Sequence, residues 1–270
     1  MKEKLICKPF NGVYLMVFAV FALLFAVGVV VLRKKDEEVR AKVLAAVMLV
    51  TLVGFFVYKF FLGRDTDYSA ITAEAGKGAF NWWGELPLQL CNINMILIPI
   101  AALTKNRLLM CFSFFMGPLG AGLALVMPGI GFDCYSILLP RMLGYYGTHW
   151  MVVFGSLALG ALGIYKPKYK DYFLTLLSGF SVAFVIFLIN ALLRVTKCNE
   201  FSNYFFTHAP EGNPILELFH SWIPLPFLYL IPSILILTPY VMLVVSIVAL
   251  YRKCREKKEE TPAGGVSSGD

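Results

Sequence analysis

A cysteine and a histidine stand inside long apolar runs of this chain: Cys91 in the run that begins at Leu86, and His149 in Thr148-His149-Trp150. A thiol and an imidazole can form a nucleophile–base pair, the imidazole drawing the proton so that sulfur attacks a carbonyl. Polar groups gather in the same regions. Glu85, Gln89, Asn92 and Asn94 flank Cys91, while Asn190 and Arg194 close a later apolar run. Amide N–H groups can hold a developing oxyanion, and a guanidinium can hold a phosphate. Such side chains are costly in lipid and mark a protein interior or an aqueous cavity. Each also has a plainer use, as a small packing thiol, a helix-bridging imidazole or amides that bond helices together.

The elements that must position them are membrane helices. Of 270 residues, 59% are hydrophobic and only 15% charged, against about 25% charged in an average soluble domain. This composition excludes a soluble enzyme, a secreted domain and most nucleic-acid binders. The apolar runs approach the roughly 20 residues that cross a bilayer, and they are too long and continuous for barrel strands. The fold expected is an all-α polytopic membrane bundle of seven spans, at 13–32, 43–62, 86–103, 108–127, 142–164, 172–193 and 227–251. These make a single transmembrane domain over 1–251, with an outer cap loop at 194–226 and a disordered inner tail at 252–270. The run Val13 to Leu32 ends in Arg33-Lys34-Lys35 without a small-residue cleavage site, so it reads as a retained span rather than a signal peptide. The net charge of +7 sits in short runs beside the spans, as topology-setting anchors rather than a nucleic-acid surface. Loops after the odd-numbered spans carry nearly twice the Lys and Arg of the opposite side, which predicts an N-out, C-in orientation.

Within the third span, read as a helix, Glu85, Gln89 and Asn92 share one face, and Cys91 and Asn94 lie together on another. Counting about 1.5 Å per residue, Cys91 and His149 both fall roughly 8–10 Å below the outer helix starts. Asn190 and Arg194 come near the same level from the sixth span, and the inner halves of the spans read as almost purely apolar. The 194–226 segment is rich in aromatics and prolines, which suits a cap over the mouth of the bundle. Phe80-Asn81-Trp82-Trp83-Gly84 reads as an interfacial anchor. Cys134 and Cys198 fall in outer loops, where they could pair on an oxidising side. A metal site from Cys91, His149, His208 and His220 lacks any close-spaced ligand pair; neither a metal nor a cofactor is expected.

The run Leu86-Pro87-Leu88-Gln89-Leu90-Cys91, followed by Pro140-Arg141-Met142-Leu143-Gly144, the His149 helix, and Asn203-Tyr204 with Pro214 and Trp222, resembles the YwaF-like integral membrane proteins over residues 80 to 230. The eukaryotic branch of that resemblance includes a phospholipid acyltransferase that uses a membrane Cys and His. Its Pro-Cys-His corresponds to Pro87-Leu88-Gln89 here, which puts its nucleophile on Leu88; Cys91 lies about one turn further on, where the bacterial-type pattern has a Cys. Bacterial members carry His at the position of Gln89. The resemblance implies a phospholipid acyltransferase or acyl hydrolase of a bacterial cell membrane, with Cys91 as nucleophile and His149 as base. Gln89, Asn92, Asn94, Asn190, Arg194 and Glu85 would then serve substrate or oxyanion, and a membrane phospholipid or lysophospholipid would be the partner. The alternative is a membrane transporter or lipid- or solute-binding protein without catalysis, in which the same polar cluster holds a headgroup or solute.

Overall fold

The structure, a computed structural model, describes residues 5–74 and 80–260, with side chains to Cys254. In chain order it runs β1 (Ile6–Cys7), α1 (Gly12–Leu32), α2 (Glu37–Leu62), α3 (Thr66–Glu74), α4 (Asn94–Thr104), α5 (Arg107–Val126), β2 (Tyr135–Ser136), α6 (Pro140–Ala161), α7 (Asp171–Val195), α8 (Pro214–Trp222) and α9 (Ile234–Glu260). It is an all-α polytopic membrane bundle. The only sheet among the described residues is the two-residue antiparallel clip β1–β2, with Ile6 opposite Ser136. α1, α2, α5, α7 and the stretch Leu228–Cys254 are each long and apolar enough to cross a bilayer.

The other two expected spans differ, for a shared reason. α6 has the length, 22 residues or about 33 Å, but carries Arg141, Thr148, His149 and Ser156, all buried. α4 has only 11 residues, about 16 Å. The expected helix over 86–103 is therefore helical only in its second half; residues 85–93 form turns. Irregular backbone at membrane depth survives where protein surrounds it. α4 and α6 occupy the middle of the bundle, packed between α2 and α5, while α1 lies outside on α6, Phe18 against Trp150 at 5.0 Å.

Glycines set the close approaches. A Cβ on Gly144 of α6 would run into the Tyr58 ring of α2, and one on Gly160 would meet Phe114 of α5 at 2.8 Å. Small residues draw helices together where lipid supplies no hydrophobic drive between them. Two further corrections concern the ends. α9 continues to Glu260, so residues 252–260 of the expected disordered tail are helical, and 261–270 lie outside the described residues. The cap segment is not all loop, since α8 forms within it, N-capped by Asn213, whose side chain accepts from the Ile215 and Leu216 N–H groups.

Candidate functional site

Cys91 sits in the turns that lead into α4. The Ile93 N–H donates to the Gln89 carbonyl at 2.9 Å and the Met95 N–H to the Asn92 carbonyl at 3.0 Å, so main-chain N–H groups converge here as at any helix start. Because 85–93 is not helical, the two-face arrangement expected for Glu85, Gln89, Asn92, Cys91 and Asn94 does not form. The segment can lie close to α5 because Gly120 faces it. A Cβ there would be 2.8 Å from Leu90 Cγ and 3.3 Å from the Cys91 main-chain nitrogen.

His149 is 4% exposed. Its Nδ1 bonds the Tyr145 carbonyl at 2.7 Å. A carbonyl only accepts, so Nδ1 carries the hydrogen and the lone pair of the neutral ring is on Nε2. The Tyr145 ring packs on the imidazole at 4.3 Å, and its hydroxyl donates to the Ala124 carbonyl of α5 at 2.7 Å. Cys91 beside Gly120 and the Tyr145–His149 pair beside Ala124 thus rest on adjoining turns of α5, about 6 Å apart along its axis. Among the described residues no hydrogen bond joins the thiol to the imidazole.

Glu85 does not orient His149. It pairs with Lys59 of α2, whose side chain is 9% exposed. Sequence reasoning passed over Lys59, although an intramembrane lysine is itself a signal of function. Its ammonium lies 4.9 Å from the Tyr58 ring centroid and 5.4 Å from that of Phe55.

Asn190 and Arg194, expected to serve an oxyanion and a phosphate, instead hold the cap. Asn190 Nδ2 donates to the Tyr204 carbonyl and to Thr207 Oγ1, both at 2.9 Å. Its Oδ1 accepts from Ser202 Oγ at 2.7 Å and the Tyr204 N–H at 3.0 Å. Arg194 Nε donates to the Ser202 carbonyl at 2.7 Å. Gln89 Oε1 accepts from the Phe205 N–H at 3.0 Å. Tyr204, given no site role from the sequence, ties the cap to the Cys91 segment: its hydroxyl donates to the Trp83 carbonyl and accepts from the Leu86 N–H. Burial holds the Tyr204 phenol well above its ordinary range. Trp82 and Trp83, 43% and 50% exposed, stand beside this junction.

Of the other candidates, Asn94 is fully buried and donates Nδ2 to the Leu90 carbonyl at 2.9 Å, so that donor is committed. Asn92 is buried beside the sulfur. His208 stacks on Phe187 and His220 meets Tyr229 edge-on, each in its own part of the cap. Cys134 and Cys198 are both free thiols.

Arg141, expected in an outer loop, is buried against Asp65 at 2.5 Å. Nor is the end opposite the cap purely apolar. Asp171, 1% exposed, accepts from Arg107 Nε and Nη2 at 2.8 Å each, from the Tyr165 hydroxyl at 2.7 Å and from the Lys168 N–H at 2.8 Å. The bundle therefore carries two polar layers, the one around Cys91 and His149 bringing a thiol, an imidazole and a buried ammonium into one region.

No curated protein and no solved structure matches the chain. The family whose sequence pattern does match covers residues 8–252, from just after β1 into the last helix and through every residue of the layer just described. The chain belongs to the TMEM164 family.

Proposed function

We propose that this integral membrane protein is a lipid-acyl enzyme, a phospholipid acyltransferase or acyl hydrolase, with Cys91 as nucleophile and His149 as base. The observation that carries the reading is the imidazole's hydrogen bond to the Tyr145 carbonyl, which leaves Nε2 as the basic nitrogen on a helix that shares one stretch of α5 with Cys91. Movement of the turn-forming segment 85–93 brings thiol and imidazole into contact when substrate enters; catalytic hydrogen bonds commonly tighten only in the complex.

In the first step the Cys91 sulfur attacks the ester carbonyl of a phospholipid, and its proton passes to His149 Nε2. The carbonyl oxygen becomes an oxyanion facing the main-chain N–H groups at the start of α4 and the Asn92 amide. Collapse breaks the ester C–O bond; the lysolipid alkoxide takes the proton from His149, and the acyl chain stays on sulfur as a thioester. In the second step the hydroxyl of a lysolipid, or water, gives its proton to His149 and attacks the thioester. Collapse expels the thiolate, which recovers its proton, and the new ester or the free fatty acid leaves. A site set below the cap, beside lipid-facing helices, suits a substrate whose ester lies at the interface while its tails remain in the bilayer.

The test is intact-mass analysis of the purified protein after incubation with mixed phospholipids, before and after hydroxylamine. A hydroxylamine-labile acyl mass on the wild type, absent from Cys91→Ala and slow to turn over in His149→Ala, is the expected result. Wild-type acyl turnover in both variants overturns the reading.

A further inference from the structure

The cap reaches down the side of the bundle. Its chain descends along α7: Ser202 is bound at Arg194, Tyr204 and Thr207 at Asn190, and Phe227 packs on Phe187 and Phe184 at 5.6 and 5.5 Å. Phe187 and Phe184 lie about 12 and 16 Å back from the α7 end at Val195. The 25 residues of α7 rise about 37 Å, against a hydrocarbon core of roughly 30 Å. Even with the whole excess length on the cap side, Phe227 sits about 5 Å inside the hydrocarbon.

α8 docks close to this level. Phe219 is buried, and His220 meets the buried Tyr229, two residues after Phe227, at 5.3 Å. Round the helix the side chains divide three ways. Leu216 and His220, both half-buried, stand beside Phe219 on the bundle. Glu217 and Ser221, one turn apart, stand nearly opposite Phe219, and Glu217 Oε1 accepts from the Gly212 N–H at 3.1 Å. Ile215, Leu218 and Trp222 run along one flank between these two sides, and all three are exposed.

A helix lying against water turns one apolar face inward and polar side chains outward. α8 has a second apolar flank as well, the pattern of a helix in the plane of a membrane with its polar ridge toward water. Tryptophan at such a level is an interfacial anchor. The surroundings say what covers the flank. On α7, Leu188 and Leu192 are 50% and 61% exposed, at the Phe187 level and one turn above it. Both lie on a span that lipid must surround.

We propose that α8 is an in-plane membrane helix, seated in the hydrocarbon of the cap-side leaflet through Ile215, Leu218 and Trp222. Lipid then holds the cap down over the Cys91 segment together with the cap's own hydrogen bonds.

Benzoylphenylalanine, which inserts into nearby C–H bonds under ultraviolet light, reads the neighbour of each position. It is placed at Leu218, Trp222, Ser221 or, as the reference on a span, Leu188, and the protein is irradiated in phosphatidylcholine nanodiscs and weighed intact. The positions of Leu218 and Trp222 should gain the mass of one phospholipid as readily as that of Leu188, and that of Ser221 far less. A doubled protein mass would make a second copy of the chain the occupant, and no lipid adduct at 218 and 222 would put the flank in water; either result overturns the proposal. Hydrogen exchange reads the seating itself. Leu218→Glu puts a carboxylate into hydrocarbon and should speed exchange of the 202–213 amides about tenfold, while Ser221→Glu keeps the wild-type rate. Equal rates in the two variants overturn the proposal. Neither readout depends on the chemistry of Cys91, so the acyl-transfer reading can fail without it.

Discussion

Replacing Asn190 with alanine should release the cap while leaving the bundle folded. The side chain is fully buried and makes four hydrogen bonds to residues 202, 204 and 207, at 2.7 to 3.0 Å. A hydrogen bond of this kind contributes about 0.5–1.5 kcal/mol net, and a buried group left without its partner costs more. Four bonds lost together, two of them to main-chain groups of Tyr204, amount to about 3 kcal/mol on the local opening of the cap. At about 1.4 kcal/mol for each factor of ten, the amides of 202–207 should exchange with solvent about a hundredfold faster. Hydrogen-exchange mass spectrometry in nanodiscs measures this, with the helical amides of α7 as an internal standard. Asn213→Ala is the matched control: it removes an N-cap from α8, should cost about 1 kcal/mol, and should fray α8 alone. Exchange at 202–207 that stays within about threefold of wild type in Asn190→Ala, well short of what four lost bonds require, would refute the clasp.

Three further outcomes are expected. Gly120→Val drives a branched side chain into Leu90 and the Cys91 backbone, where the first added carbon already lies 2.8 Å from Leu90 Cγ; it should cost about 1–3 kcal/mol by thermal melting and abolish the acyl adduct. Asp171→Ala strips an acceptor from Arg107, Tyr165 and Lys168 and should cost about 2–4 kcal/mol, moderated because Arg107 is partly solvated; Lys42→Ala, which breaks an exposed pair with Glu38, should change the melting temperature little. Burial, and then Arg194, hold the His208 imidazole below its ordinary value. The opened cap therefore binds the proton more readily than the closed one, and closure weakens as pH falls below about 6.5, levelling off below the closed-state value. Exchange at 202–213 should rise on acidification, and this rise should vanish in His208→Phe, which keeps the stack on Phe187.

Where lipid alone dictates structure, the sequence was a good guide. The apolar runs at 13–32, 43–62, 108–127 and 172–193 became α1, α2, α5 and α7 with ends shifted by a few residues, since an apolar backbone in hydrocarbon has no option but helix. Cys91 and the Tyr145 that holds His149 both meet α5, at Gly120 and Ala124. What escaped was decided by partners far along the chain. Residues 86–93 have a helix-like polar pattern, yet their hydrogen bonds go to Tyr204 and Phe205, more than a hundred residues later. Asn190 and Arg194 have the chemistry of ligand donors, and only the folded cap reveals that the Asn190 amide and Arg194 Nε bond to it. Arg141 looked like a loop charge because its carboxylate partner, Asp65, lies beyond three intervening helices. Lys59 was visible as an intramembrane charge, but nothing local points to Glu85.

The short third pass bears on how the protein is made. Eleven helical residues behind a stretch of turns cannot settle in a bilayer alone, because the turns leave backbone groups that hydrocarbon cannot satisfy. Their shelter is α5 and α6, translated later, and the cap, later still. During synthesis the Cys91 segment must wait at the insertion machinery or at the membrane surface until its neighbours arrive. Assembly of the site is then post-insertional, and a ribosome stalled before α6 would carry a nascent chain whose Cys91 thiol is still in water.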